Sequence, residues 1–402
     1  MYDECERGIT AAKGFQAAGV HCGVKKARKD LALVFSTVPA RAAGVFTTSK
    51  VQAAPVIVDK FQLDISSCIR AVVINSGNAN ACTGERGLND AWSMVEKTAS
   101  ALGLRRTEVL VSSTGVIGQY LPVEKVRSGI ICAASELSHE SHLSAAEAIM
   151  TTDTFAKELA IRVSLDGAEV TIGGMAKGSG MIAPNMATML GFVTTDANIS
   201  APLLRYALKK ACDRSFNRIS VDGDTSTNDM VLILANGLAE NRLIQDPDEE
   251  GFRLFYDALE YVLVKLSKMI VMDGEGATKF VEIKVLGAGS EEAAVQAAKA
   301  VANSNLVKTA INGEDANWGR ILAAVGYSGI DFNPADVEIK LGDVPILGRQ
   351  YTIDFAEEDA RRVLMQKEIE ITVDLNQGDA SASFWTCDLS KDYVAINAHY
   401  RT

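Results

Sequence analysis

Hydrophobic and polar positions along this chain change period many times, and each change marks an element. Runs rich in β-branched residues at 31–36, 71–75 and 109–112 predict strands. Between them, Ala91, Met94, Val95, Ala99 and Leu102 recur at helical spacing over residues 89–102, and residues 123–137 read as a second helix. Strand patterns return at 169–172 and 191–195. Ser200 and Pro202 then mark a helix start, a hydroxyl suited to capping and a proline in the first turn, followed by Leu203, Leu204, Ala207, Leu208 and Ala211 on one side. Residues 230–235 read as a buried strand. Residues 248–272 form a long amphipathic pattern with Asp248, Glu249 and Glu250 where the helix dipole favours acids. Residues 279–286 alternate, 290–302 are an alanine-rich helix, and strands follow at 337–341, 368–375, 382–386 and 393–397. Strands and helices mix without a strict βαβ rhythm, which predicts packed α/β layers rather than a doubly wound sheet. Short strands dominate after about residue 285, where a smaller C-terminal α/β portion is expected.

Composition narrows the function. The chain has 402 residues, 48% hydrophobic and 23% charged, ordinary for a globular enzyme and far from a disordered one. Its net charge of -11 argues against a nucleic-acid partner, which would ask for a basic stripe. The one compact basic cluster, Lys25-Lys26-Ala27-Arg28-Lys29, reads as a solvated turn. No basic-then-apolar leader opens the sequence, and no apolar run reaches the roughly 18 residues of a membrane span. The seven cysteines lack any C-x-x-C pairing, so neither a zinc site nor a disulfide framework is expected. They read as reduced thiols, mostly core filler, which fits a cytoplasmic protein.

Few residues offer independent chemistry. With four histidines and no G-x-S-x-G elbow, a Ser-His-Asp hydrolase or a histidine-ligated metal is disfavoured. Gly173-Gly-Met-Ala-Lys-Gly-Ser-Gly180 has the wrong Lys-Gly order for a Walker loop, and Pro184 stops the helix a dinucleotide turn would need, so it reads as a tight turn. In Ile182-Ala-Pro-Asn-Met-Ala-Thr188, a threonine follows a small residue. Such a threonine can attack the preceding carbonyl, free its own α-amine, and then use that amine as base for its hydroxyl, a route that needs no histidine. Most threonines after alanine are structural, so spacing alone leaves both readings open. Ser112-Ser-Thr114-Gly115-Val-Ile-Gly118, after a strand, is either an oxyanion-binding turn or an ordinary loop. Asp222–Asp229 lacks the order of a calcium loop and reads as a polar turn. Glu275, among glycines after the long helix, is either a proton carrier or a solvated turn residue.

Taken together the motifs resemble the ornithine acetyltransferase (glutamate N-acetyltransferase) family of arginine biosynthesis. The likeness runs through Gly8-Ile-Thr-Ala-Ala-Lys13-Gly-Phe15, Asn75-Ser-Gly-Asn-Ala-Asn80, Ser113-Thr-Gly-Val-Ile-Gly118, Thr151-Thr-Asp153 and Lys177-Gly-Ser-Gly-Met-Ile-Ala-Pro-Asn-Met-Ala-Thr188. It continues in Val221-Asp-Gly-Asp-Thr-Ser-Thr-Asn-Asp229, Asp273-Gly-Glu-Gly-Ala-Thr-Lys279, Asn317-Trp-Gly-Arg320, Trp385-Thr-Cys-Asp388 and Asn397-Ala-His-Tyr-Arg-Thr402. Ala12 and Ala316 stand where the family usually has proline.

The resemblance implies a chain cut between Ala187 and Thr188 into an α piece (1–187) and a β piece (188–402). The two would form an N-terminal-nucleophile-like α/β layered sandwich and assemble as two α and two β pieces. It implies Thr188 as nucleophile, Thr114 and Gly115 as the oxyanion pair, and Thr151, Lys177, Thr188, Glu275, Asn397 and Thr402 as substrate contacts. The substrates implied are N2-acetylornithine and L-glutamate, with no cofactor, metal or membrane partner. Members with and without acetyl-CoA-dependent activity share these motifs, so acetyl-CoA as a second donor stays open. The rival readings are an N-terminal-nucleophile amidohydrolase or aminopeptidase on a related fold, a non-catalytic binding protein, and a nucleotide-dependent transferase.

Overall fold

The computed structural model describes residues 2–182 and 189–399. The chain divides into two compact units. One holds the chain up to Asn217 and again Asp224–Ile270; the other holds Arg218–Gly223 and the chain from Val271 on.

The first unit is built on one large mixed sheet. The chain begins with β1 (Asp3–Cys5), β2 (Phe15–Val20) and the long β3 (Leu31–Phe46), then α1 (Ala54–Ile65) and β4 (Ile69–Asn78). Next come α2 (Gly84–Leu102), β5 (Val109–Val116), α3 (Val123–Ser135), α4 (His142–Ile149) and the hairpin β6 (Lys157–Leu165) and β7 (Ala168–Lys177). β8 (Leu190–Thr195) and α5 (Ala201–Arg214) follow. After the two-residue β9 (Ile219–Ser220) of the second unit, β10 (Met230–Ala235) and α6 (Glu250–Met272) return to the first. The strand order is β1-β6-β7-β8-β10-β3-β4-β5, with β2 paired to the first half of β3. The register of β3 shifts between Phe35 and Ala40, so its two halves serve different neighbours: β2 and β4 early, β10 late.

Alternation along these strands loads both faces. Leu31, Leu33, Ala71, Val73, Val109 and Val111 pack against Ala91, Met94 and Val95 of α2 and Val126 and Ile130 of α3. The opposite face, with Ala32, Val34, Val72, Ile74 and Leu110, packs against Ala145, Ala146 and Ile149 of α4. At the outer strand β5, the wholly buried Asp59 of α1 accepts the Val111 N–H at 2.8 Å, satisfying a ladder donor that has no strand partner. Burial pushes that carboxyl well above its ordinary value.

The second unit is a six-stranded sheet. It comprises β11 (Phe280–Ala288), α7 (Glu291–Ala302), α8 (Asn305–Asn312), α9 (Trp318–Gly326), β12 (Glu338–Leu341), β13 (Val344–Leu347), α10 (Glu357–Leu364), β14 (Glu368–Asp374), β15 (Ala380–Cys387) and α11 (Lys391–His399). The order is β13-β12-β14-β11-β15-β9. Ser290, Ser304 and Asn317 cap α7, α8 and α9 through their side chains. Asn317 is the first residue of the Asn-Trp-Gly-Arg motif, so that motif begins as a helix start.

Four sequence expectations need correction. Residues 393–397 are not a strand but lie in α11, a helix with no buried residue. The glycine-rich 173–180 segment is not mainly a turn: Gly173 to Lys177 finish β7, and a Cβ on Gly173 would sit 2.0 Å from the Gly8 carbonyl oxygen. Thr114 and Gly115 lie within β5, which runs on to Val116, rather than in a loop after it. The cysteines are free, but only Cys212 and Cys387 are buried, so most are not core filler. Among the described residues no helix is long and apolar enough to cross a membrane.

Candidate active site

Residues from five distant stretches meet at one end of the first unit's sheet. β4 and β5 run parallel and end side by side, Ser76 opposite Thr114 and Gly77 opposite Gly115, where the register is bulged. Gly115 has φ of 132°, and a Cβ there would lie 2.4 Å from the Gly77 carbonyl carbon. Only glycine fits both the conformation and the close approach. The bulge is held from behind by the Asn75–Asn80 motif. Ser113 Oγ donates to Asn75 Oδ1 (2.6 Å), Asn75 Nδ2 to the Asn78 carbonyl (2.9 Å), and the Asn80 N–H to Asn78 Oδ1 (2.8 Å). Asn228 Nδ2 reaches in from the Asp222–Asp229 motif to the carbonyls of Ala79 (2.6 Å) and Ser113 (2.8 Å). That motif is therefore a clamp on two strand ends. Among the described residues no cluster suited to a metal ion occurs.

Lys177 closes β7 and is 3% exposed. Its Nζ donates to Thr114 Oγ1 at 3.4 Å. The N–H of the next residue, Gly178, donates to Asp153 Oδ1 (2.7 Å), and Asp153 Oδ2 accepts the Thr151 N–H (2.8 Å). Lys157, wholly buried, pairs with Asp153 Oδ1 at 2.7 Å. Burial alone would raise the Asp153 carboxyl. Lys177 and Lys157, with the hydrogen bonds from Lys157 and Gly178, override it and hold the group far below the usual carboxylate range. Asp153 thus joins Thr151 to Lys177, two positions that the sequence singled out and left unconnected.

Lys177 pairs with Leu190 across β7 and β8. Ala187 and Thr188 lie outside the described residues, but their downstream neighbour is fixed: the Met189 N–H donates to Asp229 Oδ1 at 2.8 Å. Asp229 is wholly buried, and its Oδ2 has no hydrogen-bond partner among the described residues. Burial pushes its carboxyl well above the ordinary value, against the hydrogen bond from Met189.

In the second unit, Glu275 is nearly buried, and its Oε2 accepts from Asn397 Nδ2 at 2.9 Å. The turn carrying Glu275 is anchored by Asp388, which accepts from the Thr278 N–H (2.8 Å), Thr278 Oγ1 (2.6 Å), the Lys279 N–H (2.9 Å) and Asn312 Nδ2 (2.7 Å). Gly276, at φ of 68°, sits where a Cβ would lie 2.5 Å from the Tyr393 nitrogen. Lys308, buried, donates to Thr386 Oγ1 (2.9 Å) and the Cys387 carbonyl. The Trp385-Thr-Cys-Asp388 motif is thus supporting structure. Thr402 lies outside the described residues.

Sequence reasoning missed Asp153, Lys157 and Asp229 as site residues. Asp153 and Asp229 stood inside quoted motifs, and their signal was an acid closing a hydroxyl-rich run.

Comparison with known proteins bears on the family. A family model described as the ArgJ family matches residues 16–402. The chain is 55% identical over 98% of its length to the arginine biosynthesis bifunctional protein ArgJ of Symbiobacterium thermophilum, covering 98% of that protein. It is 54% identical, with the same 98% coverage of each chain, to the ArgJ of Caldanaerobacter subterraneus subsp. tengcongensis. The crystal structure of the arginine biosynthesis bifunctional protein argJ from Bacillus halodurans matches with a TM-score of 0.52 at 47% identity, covering 53% of this chain and 100% of that chain. Matches of this length and identity leave one assignment: the chain belongs to the ArgJ family, and with it to the acetyltransferases of arginine biosynthesis.

Proposed function

We propose that this chain cuts itself between Ala187 and Thr188 and that Thr188 then carries an acetyl group from N2-acetylornithine to L-glutamate. The observation that supports this most is the meeting of Thr114, Gly115 and Lys177 around strand ends whose continuation, Met189, is pinned by Asp229. The length match adds support: the Bacillus halodurans chain aligns in full with 53% of this one, and a cut after Ala187 would leave slightly more than half of the residues in the second piece.

In the reaction, Thr188 Oγ attacks the acetyl carbonyl while the Thr188 α-amine takes the hydroxyl proton. The tetrahedral oxyanion is held by Thr114 and Gly115, a stabilisation worth on the order of 3 kcal/mol per well-placed donor. The C–N bond breaks, the proton passes to the departing amine, and ornithine leaves an acetyl-threonine ester. The α-amine of glutamate attacks that ester, N-acetylglutamate departs, and Thr188 regains its hydroxyl proton. Lys177 holds a substrate carboxylate. Thr151, Glu275, Asn397 and Thr402 are the further substrate contacts that the resemblance implies, with Glu275 holding or deprotonating the incoming amine. The assembly implied is two α and two β pieces.

Intact mass of the wild type beside Thr188→Ala is the test. Two wild-type pieces meeting at Ala187/Thr188, with the variant whole, are expected. An uncut wild type that still transfers acetyl overturns the mechanism. N-acetylglutamate rather than free acetate as product separates transfer from the amidohydrolase reading, and acetyl-CoA in place of N2-acetylornithine tests a second donor in the same assay.

A further inference from the structure

The contacts around Thr114 and Lys177 close into a ring, and the ring contains a residue to which the resemblance gives no role. Lys177 meets Thr114, the neighbour of Gly115; Gly115 pairs with Gly77; and Lys25 lies over Gly77, where a Cβ would come within 3.0 Å of Lys25 Cγ. Lys25 Nζ then donates to the carbonyl of Met150 at 2.6 Å. Met150 precedes Thr151, whose N–H reaches Asp153, which returns the path to Gly178 and Lys177. Five stretches of sequence thus surround one spot, and two ammonium groups, Lys177 and Lys25, belong to it.

We propose that Lys25 is a second carboxylate-binding cation of this site and selects glutamate, a dicarboxylate, as the acetyl acceptor; the inference rests on the acetyl-transfer reading above. Among the described residues, two of the three ammonium hydrogens of Lys25 are used, on the carbonyls of Lys29 (2.9 Å) and Met150. The third is left for a ligand. Among the described residues no carboxylate lies within ion-pair distance of Lys25 Nζ. The nearby Asp30 is turned away into the backbone, accepting from the N–H groups of Cys22 (2.6 Å), Gly23 (3.1 Å) and Lys25 (2.8 Å). The α-carboxylate is common to ornithine and glutamate and suits Lys177. The side-chain carboxylate is what glutamate alone carries, and Lys25 is the cation left to meet it.

The charge on Lys25 is also easily given up. Burial brings the group down to about 8; Lys177 and Arg28 add to the fall, and Asp30 and Asp153 oppose it. An approaching carboxylate holds the proton on, whereas the side-chain ammonium of N2-acetylornithine favours the neutral amine. One position thereby tolerates the donor and still prefers the acidic acceptor.

Wild type, Lys25→Met and Lys25→Arg are compared with N2-acetylornithine as donor and either glutamate or glutamine as acceptor. Glutamine matches glutamate in shape and lacks the second carboxylate. Lys25→Met is expected to cut the preference for glutamate over glutamine by about tenfold to a hundredfold, through KM, as loss of a hydrogen bond to a charged group should. Lys25→Arg should retain most of the preference. In wild type, KM for glutamate should rise above about pH 8, and in Lys25→Arg it should not. An unchanged preference in Lys25→Met, or an equal rise in KM for both acceptors, overturns the proposal. If wild type makes no N-acetylglutamate, the acetyl-transfer reading itself has failed. Calorimetric binding of glutamate against glutamine to wild type and Lys25→Met then still decides the role of Lys25.

Discussion

The Asp153–Lys157 pair is the feature whose removal should cost most. Both side chains are wholly excluded from solvent, 2.7 Å apart, and Asp153 also takes the N–H groups of Thr151 and Gly178. Asp153→Asn keeps the shape but removes the charge. Lys157 then loses the countercharge beside it, and Lys177 loses the carboxylate whose field it shares. Removing one member of a buried pair costs about 3–5 kcal/mol, because the surviving charge is left uncompensated. The direction with pH follows from the depressed carboxyl. An unfolded aspartate titrates near 3.9 and the folded one lower, so the stabilisation is complete above about pH 4 and is lost as pH falls toward the folded value. Urea unfolding at pH 7 should therefore show the full loss in Asp153→Asn. Between pH 4 and 2 the difference from wild type should shrink. Adding Lys157→Met should recover part of the loss by removing the orphaned charge. A loss below about 1 kcal/mol at pH 7, or a loss that grows on acidification, would refute the reasoning.

The other consequences are local. Asp229→Ala should cost about 1–3 kcal/mol more than Asp229→Asn, since alanine leaves the buried Met189 N–H without an acceptor. Because the Asp229 carboxyl is raised in the folded state, wild-type stability should fall as pH rises above about 4, and Asp229→Asn should flatten that slope, leaving the share of the likewise raised Asp59; equal slopes in a pH series of urea midpoints would count against it. Gly115→Ala should lower the urea midpoint far more than Gly118→Ala. Both glycines have positive φ, 132° and 75°, but a Cβ on Gly118 meets nothing within 4 Å, whereas on Gly115 it collides with the backbone of Gly77 and Asn78. Matching midpoints would mean that the contact is not what demands glycine there.

The strands that the sequence revealed are those whose apolar runs are continuous or cleanly alternating. Met230–Ala235 is buried at every position, and Glu368–Asp374 alternates about one core-facing side. What escaped was set by partners distant in sequence. Ile219 and Ser220 form a strand only because Trp385 and Thr386 lie beside them, and two residues carry no period of their own. Tyr393, Val394 and Ile396 look like a strand fragment, yet the stretch is helical. Ser390 Oγ accepts the Asp392 N–H at 3.2 Å as the helix starts, and Asn397 near its end reaches Glu275. A short apolar run cannot choose between the two structures by periodicity. Gly173 read as a turn residue because composition reports flexibility; its strand place follows from the Gly8 carbonyl that occupies its Cβ position.

The candidate site shows the same division, now in charge. Thr114, Gly115 and Lys177 could be chosen from motif resemblance, but nothing in the spacing said that Lys157 would be buried or that Asp153 would tie Thr151 to Lys177. A charged residue in a sequence is read as solvated unless its partner is known, and here each partner comes from another strand or loop. The net charge of -11 carries no information about this spot. It describes the molecule's distant field, which governs solubility. Next to Thr114 cations gather: Lys177, Lys157 and Lys25 surround Asp153, while Asp30 is engaged by backbone N–H groups and burial raises the Asp229 carboxyl. A ligand there meets the local excess, not the molecular total. An acidic protein with this interior is suited to anionic substrates, and Lys25, taken from composition as part of a solvated turn, is the residue on which that difference can be measured.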